Sequence, residues 1–203
     1  MIADLPVALS DTQRATIDAY VGELERLNRR VNLVARPARR ADLERHVRHC
    51  LALATRPFAP GAVVVDWGSG GGLPALPLAV AFPETTFVAV DTVGKKSEAV
   101  KLFARRLGLD NLTAWNGRAE AYDGPAPTRS VSRATAPLAT LWAWHERARA
   151  SDAADLLCLK GGDLGDERAA LDAAWPGLAV ETEGLADVLG AEWADKAIVS
   201  VAG

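Results

Sequence analysis

The apolar run Ala62-Val63-Val64-Val65-Asp66 leads almost directly into a glycine cluster over 68–72, and Pro74 then opens a further apolar segment. An uninterrupted β-branched run is expected for a strand buried on both faces, as in a parallel sheet covered by helices. The pattern repeats. Phe87-Val88-Ala89-Val90-Asp91 reads as a second buried strand, 112–115 as a third, 130–132 as a short fourth and 156–159 as a fifth that ends at Lys160-Gly161-Gly162. A last strand is predicted over 196–201. Helical spacing fits 73–82, 95–107 (stopped by Gly108), 137–150 and 166–174. This alternation predicts an open α/β sheet with parallel strands and right-handed crossovers. Ligands of such sheets bind beyond the carboxyl ends of the strands. The informative residues are therefore Asp66 and the turn after it, Asp91 to Lys96, Asn116 to Glu120, Arg133, and Lys160 to Gly162.

The chain before the first strand has a different character. Ser10 with Gln13 forms a capping box, and Ile17, Tyr20, Val21, Leu24 and Leu27 follow at helical spacing. This predicts a helix over 11–29. A connection over 31–36 closes at Pro37, and a second helix is expected over 39–54. Pro57, Pro60 and Gly61 mark a boundary. The expected organisation is a helical N-terminal extension over 1–57 and a sheet domain over 58–203, packed as one compact unit. With 203 residues, 49% of them hydrophobic, the chain can bury a core without disulfides or metals. No apolar stretch approaches the roughly 20 residues of a membrane helix. The first ten residues lack a basic start followed by an apolar block, so no signal peptide is read there. Cys50 and Cys158, each among apolar neighbours, fit a reducing, cytoplasmic setting.

The net charge of −3 argues against a nucleic-acid binder, but the charge is unevenly placed. Residues 151–203 hold three basic and eleven acidic residues, so residues 1–150 carry +5. Arg26, Arg29, Arg30, Arg36, Arg39, Arg40, Arg45 and Arg48 are opposed within their stretch only by Asp42 and Glu44. Such a run reads either as a solvated helical surface or as a surface that attracts a polyanion.

At the first strand end, glycines allow a sharp turn and the close approach of a ligand. A dinucleotide there requires the spacing GxGxxG. Gly68 and Gly70 fit it, but the third position falls on Leu73. No phosphate-loop lysine follows, which excludes a Walker motif. S-adenosylmethionine carries no phosphate and suits the same turn, with an acidic residue at the second strand end for its ribose. Asp91 stands at that position and would serve either cofactor. Glu120, after the third strand, reads as a residue beside the adenine or as a surface carboxylate. Arg133, after the fourth, reads as a group that orients an anionic substrate or a cofactor carboxylate, or as half of a salt bridge at the sheet rim. His46, His49 and Cys50 form a partial metal constellation. Zinc wants four ligands or three and a water, so packing or phosphate contact is the favoured reading and no metal is expected. His145 lies in an aromatic-rich helix with Trp142 and Trp144 and carries no independent signal. No nucleophile–base arrangement stands out.

Taken in order, these residues resemble a known family. The match rests on Leu27-Asn28-Arg29-Arg30-Val31-Asn32-Leu33, Arg45-His46-Val47, Val65-Asp66-Trp67-Gly68-Ser69-Gly70-Gly71-Gly72-Leu73-Pro74 and Val90-Asp91-Thr92-Val93-Gly94-Lys95-Lys96. It continues through Arg118-Ala119-Glu120, Ser132-Arg133-Ala134 and Leu159-Lys160-Gly161-Gly162. Over most of its length the chain resembles the bacterial small-subunit (16S) ribosomal RNA guanine-N7 methyltransferases, also called glucose-inhibited division protein B. The resemblance implies a class I S-adenosylmethionine-dependent methyltransferase fold, a Rossmann-like sheet with a helical N-terminal extension. It implies cofactor contacts at Gly68, Gly70, Leu73, Asp91, Ala119, Glu120 and Arg133, with 16S ribosomal RNA of the small subunit as substrate. Arg36, Arg39, Arg40, Lys95 and Lys96 then become candidates for RNA phosphates, which supply affinity and position rather than sequence choice. The N7 of guanine has a lone pair and no proton, so no residue is assigned as a chemical catalyst and positioning carries the rate. A monomer is expected. The chain departs from the family at Trp67, where an aliphatic residue is usual, at Leu73 for phenylalanine, at Ala75 for glycine, and at His49 and Cys50 for an aspartate–serine pair. These departures leave open a methyltransferase with another substrate, or a non-catalytic RNA-binding relative.

Overall fold

The computed structural model describes residues 5–34, 39–133 and 135–203. Of the residues named above, Arg36, Pro37 and Ala134 lie outside that set. Helices α1 (Asp11–Asn28) and α2 (Arg40–Leu51) precede the sheet, and a 3-10 segment, Ala52–Thr55, follows α2. Then come β1 (Val63–Trp67), α3 (Ala75–Ala81), β2 (Thr86–Asp91), α4 (Gly94–Leu107), β3 (Leu112–Asn116), β4 (Arg129–Arg133) and α5 (Leu138–Ala148). The chain ends with β5 (Asp155–Gly161), α6 (Gly165–Ala174), β6 (Ala179–Gly184), the short α7 (Ala186–Leu189) and β7 (Lys196–Ala202).

The strands form one sheet in the order β3-β2-β1-β4-β5-β7-β6. Every pairing from β3 across to β5 is parallel. Successive strand residues serve opposite faces, as the pleat requires. Val64, Phe87, Ala89, Leu157 and Leu159 pack into the core under α1 to α4, while Val65, Val88, Val90, Leu156 and Cys158 pack under α5 and α6. This is why the central strands are continuously apolar in sequence.

Two expectations need correction. The sheet is not wholly parallel, because β7 runs antiparallel to both β5 and β6. The segment between β6 and β7 holds only the short α7 and a 3-10 turn, whereas a parallel crossover needs about a dozen residues or more. The second predicted helix also ends early, at Leu51, where the chain tightens into 3-10 turns.

The helical extension seats the glycine turn. The Tyr20 hydroxyl, fully buried on α1, donates to the Gly71 carbonyl at 2.8 Å. Asn28, at the end of α1, accepts from the Leu33 and Val34 amides at 2.8 and 3.0 Å. A Cβ on Gly71 would come within 2.9 Å of Leu24 Cδ1 and 3.1 Å of Leu33 Cβ. The motif around Asn28 thus holds Leu33 and Val34 back against the turn.

Candidate functional site

β1 ends at Asp66-Trp67, and the chain then reverses. The Gly68 and Ser69 amides both donate to the Val90 carbonyl at 2.9 Å. Gly68 and Gly70 take φ of +76° and +57°, where an L side chain is strained. The Gly70 amide donates to Asp91 Oδ2 at 3.0 Å, and the Val93 amide to Oδ1 at 2.8 Å. Lys96 Nζ lies 3.8 Å from Asp91 Oδ2. One carboxylate at the end of β2 thereby ties the glycine turn to the loop leading into α4.

Across the turn, Ser132 Oγ donates to the Trp67 carbonyl at 2.9 Å, and Thr135 Oγ1 to the Gly68 carbonyl at 3.3 Å. These bonds fix the end of β4, which carries Arg133. Its Nη1 lies 3.3 Å from Nδ1 of His46 on α2, and its Nε is buried without a partner. Among the described residues no carboxylate pairs with this guanidinium. After β3, Trp144 Nε1 on α5 donates to Glu120 Oε1 at 3.0 Å.

These residues surround an open cavity of about 570 Å³. Gly68, Gly70, Leu73, Asp91, Ala119, Glu120 and Arg133 all line it, as does Lys96. Sequence reasoning missed Leu33, Val34, His46, Thr135 and Trp144 on its walls. His46 and Leu33 stood in the motifs quoted above, but only the packing of the extension onto the turn reveals that they face the site. Trp67 is fully buried on the opposite side, 5.3 Å from the Tyr122 ring and 6.3 Å from Trp144 between centroids. It supports the cavity wall from behind and does not line it.

Of the partial metal constellation, His46 faces the cavity, while His49 and Cys50 are buried in the core. The His49 ring lies 4.9 Å from that of Trp193, and burial, reinforced by Arg133, pulls its pKa down to about 3. Burial likewise pushes the Cys50 thiol up to about 12. The basic stretch is also partly neutralised by acids within and outside it. Arg40 pairs with Asp18 at 2.7 Å and with Glu44 at 3.0 Å. Arg48 pairs with Glu192 at 3.3 Å, and Arg45 stacks on Trp193 at 4.3 Å. Arg26 is bonded to Glu23. Arg39 and Lys95 are exposed.

Asp66 lies beneath the turn, fully buried, with Oδ2 accepting from the Ala75 amide at 3.0 Å. Burial raises its pKa to about 7, although that hydrogen bond and Arg133 pull the other way. Between about pH 4 and 7 the folded protein holds a proton on Asp66 that the unfolded chain has released. Its contribution to stability is therefore lost as pH rises through that range. Relative to wild type, Asp66→Asn is expected to gain roughly 2–4 kcal/mol between pH 4 and 8, since each tenfold difference in proton affinity between folded and unfolded chain corresponds to about 1.4 kcal/mol. Paired urea titrations across that range measure the difference, and parallel curves for the two proteins would contradict it.

A mostly parallel sheet in this order, a glycine turn after β1 and a carboxylate at the end of β2 define a class I methyltransferase. The chain superposes on the O-methyltransferase from Bacillus cereus in complex with SAH, with a TM-score of 0.60 over 100% of this chain and 95% of that one. Identity is 14%, so this likeness shows the fold alone. The chain belongs to the GidB family, rRNA small subunit methyltransferase G, whose model matches residues 13–191. It is 53% identical to the ribosomal RNA small subunit methyltransferase G of Salinibacter ruber, covering 96% of this chain and 94% of that protein. It is 44% identical to the protein of the same name from Chlorobaculum tepidum, over 73% of this chain and 68% of the relative.

Proposed function

We propose that the chain binds S-adenosylmethionine in the cavity at the strand ends and methylates a guanine N7 of small-subunit ribosomal RNA. The observation that carries this reading is the convergence, in one cavity, of the glycine turn, the Asp91 carboxylate and an Arg133 guanidinium without an anionic partner. The residues fit the cofactor. Asp91, 8% exposed, keeps a face on the cavity as an acceptor for the ribose hydroxyls. The glycine turn leaves room for the methionine portion, and Arg133 answers its carboxylate. Glu120, held by Trp144, and Ala119 border the place of the adenine. The bound cofactor supplies an electrophilic methyl group to the N7 lone pair. N7 has no proton to lose, so the chain's task is to hold the base in line and exclude water.

The family supports an RNA substrate, and the exposed Arg39 and Lys95 are the groups best placed to meet phosphates. Arg40 and Lys96 have carboxylate neighbours of their own and contribute less. Reversing both exposed charges, Arg39→Glu with Lys95→Glu, is expected to weaken ribosomal RNA binding about tenfold near 0.1 M salt. The slope of log K against log salt should fall by about one to two. Filter binding over a salt series measures both, and an unchanged slope would remove these residues from the interface. No described helix is long and apolar enough to cross a membrane. The ribosomal RNA substrate supported by the family favours a cytoplasmic enzyme, and we infer that it acts as a monomer.

The direct test incubates the protein with radiolabelled S-adenosylmethionine and small subunits from cells lacking the endogenous enzyme. Nuclease digestion then locates the label. Label on one guanine as N7-methylguanine is the expected result. Cofactor binding without transfer would overturn the substrate assignment.

A further inference from the structure

We propose that His46 is a positioning residue for the cofactor: its Nδ1 accepts from Arg133 and so aims the guanidinium at the cofactor's carboxylate. The proposal rests on the cavity being the S-adenosylmethionine site. His46 comes from α2 and Arg133 from the end of β4, and both line the cavity. The 3.3 Å contact between Arg133 Nη1 and His46 Nδ1 is the guanidinium's tie to a side chain across the cavity. An arginine always donates, so Nδ1 must be the acceptor, and a neutral His46 then carries its proton on Nε2. An arginine without an anionic partner has a long, flexible stem, and a fixed acceptor at its tip selects the conformer that faces the cavity.

The electrostatics favour the neutral imidazole that this role needs. Burial, and then the Arg133 cation, lower the His46 pKa from its ordinary value. Arg133 faces it from β4, while Asp42 and Arg45 act from its own helix, Asp42 alone opposing the shift. Protonation would remove the Nδ1 lone pair and set a second cation against the guanidinium. Cofactor affinity is therefore expected to fall on the acid side of the ordinary histidine range.

The experiment compares two ligands by calorimetry. S-adenosylhomocysteine carries the amino-acid carboxylate, whereas methylthioadenosine keeps the adenosine and lacks it. For His46→Ala, affinity for S-adenosylhomocysteine should fall about five- to tenfold, with methylthioadenosine affinity changed less than twofold. His46→Asn places an amide oxygen near the position of Nδ1 and should restore most of the loss, whereas His46→Gln places it near Nε2 and should not. The acid-side decline of wild-type affinity should be absent in His46→Asn, while any contribution from Asp66 is common to both proteins. Equal weakening of both ligands, or equal rescue by Asn and Gln, would overturn the positioning role. Wild-type protein that binds neither ligand would instead overturn the cofactor site itself, a result distinct from normal wild-type binding that His46→Ala leaves unchanged.

Discussion

Replacing Asp91 by alanine is expected to weaken S-adenosylmethionine binding by about a hundredfold or more while leaving the chain folded. Two effects combine. The first is direct, since a carboxylate accepting from two ribose hydroxyls makes charge-assisted hydrogen bonds of roughly 1.5–3 kcal/mol each. The second acts through the chain. Asp91 accepts from the Gly70 amide at 3.0 Å and the Val93 amide at 2.8 Å, so it joins two of the loops that wall the cavity. Without it the turn keeps its two bonds to the Val90 carbonyl, but Gly70 loses its link to the loop before α4. Stability changes less, because both amides border the cavity and water can take the place of the carboxylate. Asp91→Asn keeps one acceptor oxygen and should fall between the two, about tenfold weaker than wild type. Calorimetric titration with S-adenosylhomocysteine checks the series. An alanine variant that binds as tightly as wild type would move the cofactor away from the end of β2.

The elements that proved legible were those whose neighbours are dictated locally. Val63-Val64-Val65 has no polar residue because β1 lies between β2 and β4 with helices on both faces. Gly108 stops α4 in the left-handed conformation expected of it, at φ +67°. Asp91 could be placed because a strand end in a parallel sheet is a position that sequence specifies. What escaped the sequence depends on distant packing. β6 is an edge strand whose residues, Ala179-Val180-Glu181-Thr182-Glu183-Gly184, are mostly exposed, so it leaves no apolar signature. Part of the arginine run is met by helical neighbours, Glu23 with Arg26, Glu25 with Arg29 and Glu44 with Arg40, but its other partners leave no local signal. Asp18 and Glu192, which meet Arg40 and Arg48, lie far away in sequence. Part of the acidic C-terminal third thereby gains a role in binding α2 to the loop before β7. Trp67 shows the converse. It departs from the family within a motif, yet strand alternation turns its side chain away from the site, against Tyr122 and Trp144.

Gly68→Ala should lower stability by about 2–4 kcal/mol and weaken the cofactor site as well, because two independent constraints meet at this residue. Its φ of +76° costs an L residue roughly 1–2 kcal/mol. A Cβ there would also overlap the side chain of Thr135, coming within 2.8 Å even of that residue's own Cβ. Rotating the threonine side chain cannot relieve that contact, so the backbone after β4 must move. This segment carries Arg133 and is pinned to the turn by the Thr135 hydroxyl on the Gly68 carbonyl. Crowding at Gly68 therefore reaches the cofactor by displacing Arg133. The two contributions separate in a double-mutant cycle. Thr135→Gly added to Gly68→Ala removes the overlap and should recover the steric part of the stability loss, leaving the backbone strain of about 1–2 kcal/mol. It should recover S-adenosylhomocysteine affinity to the same extent, because the displacement of Arg133 is relieved with the overlap. If stability returns in the double variant but affinity does not, the glycine acts on the cofactor through its own backbone and not through the end of β4.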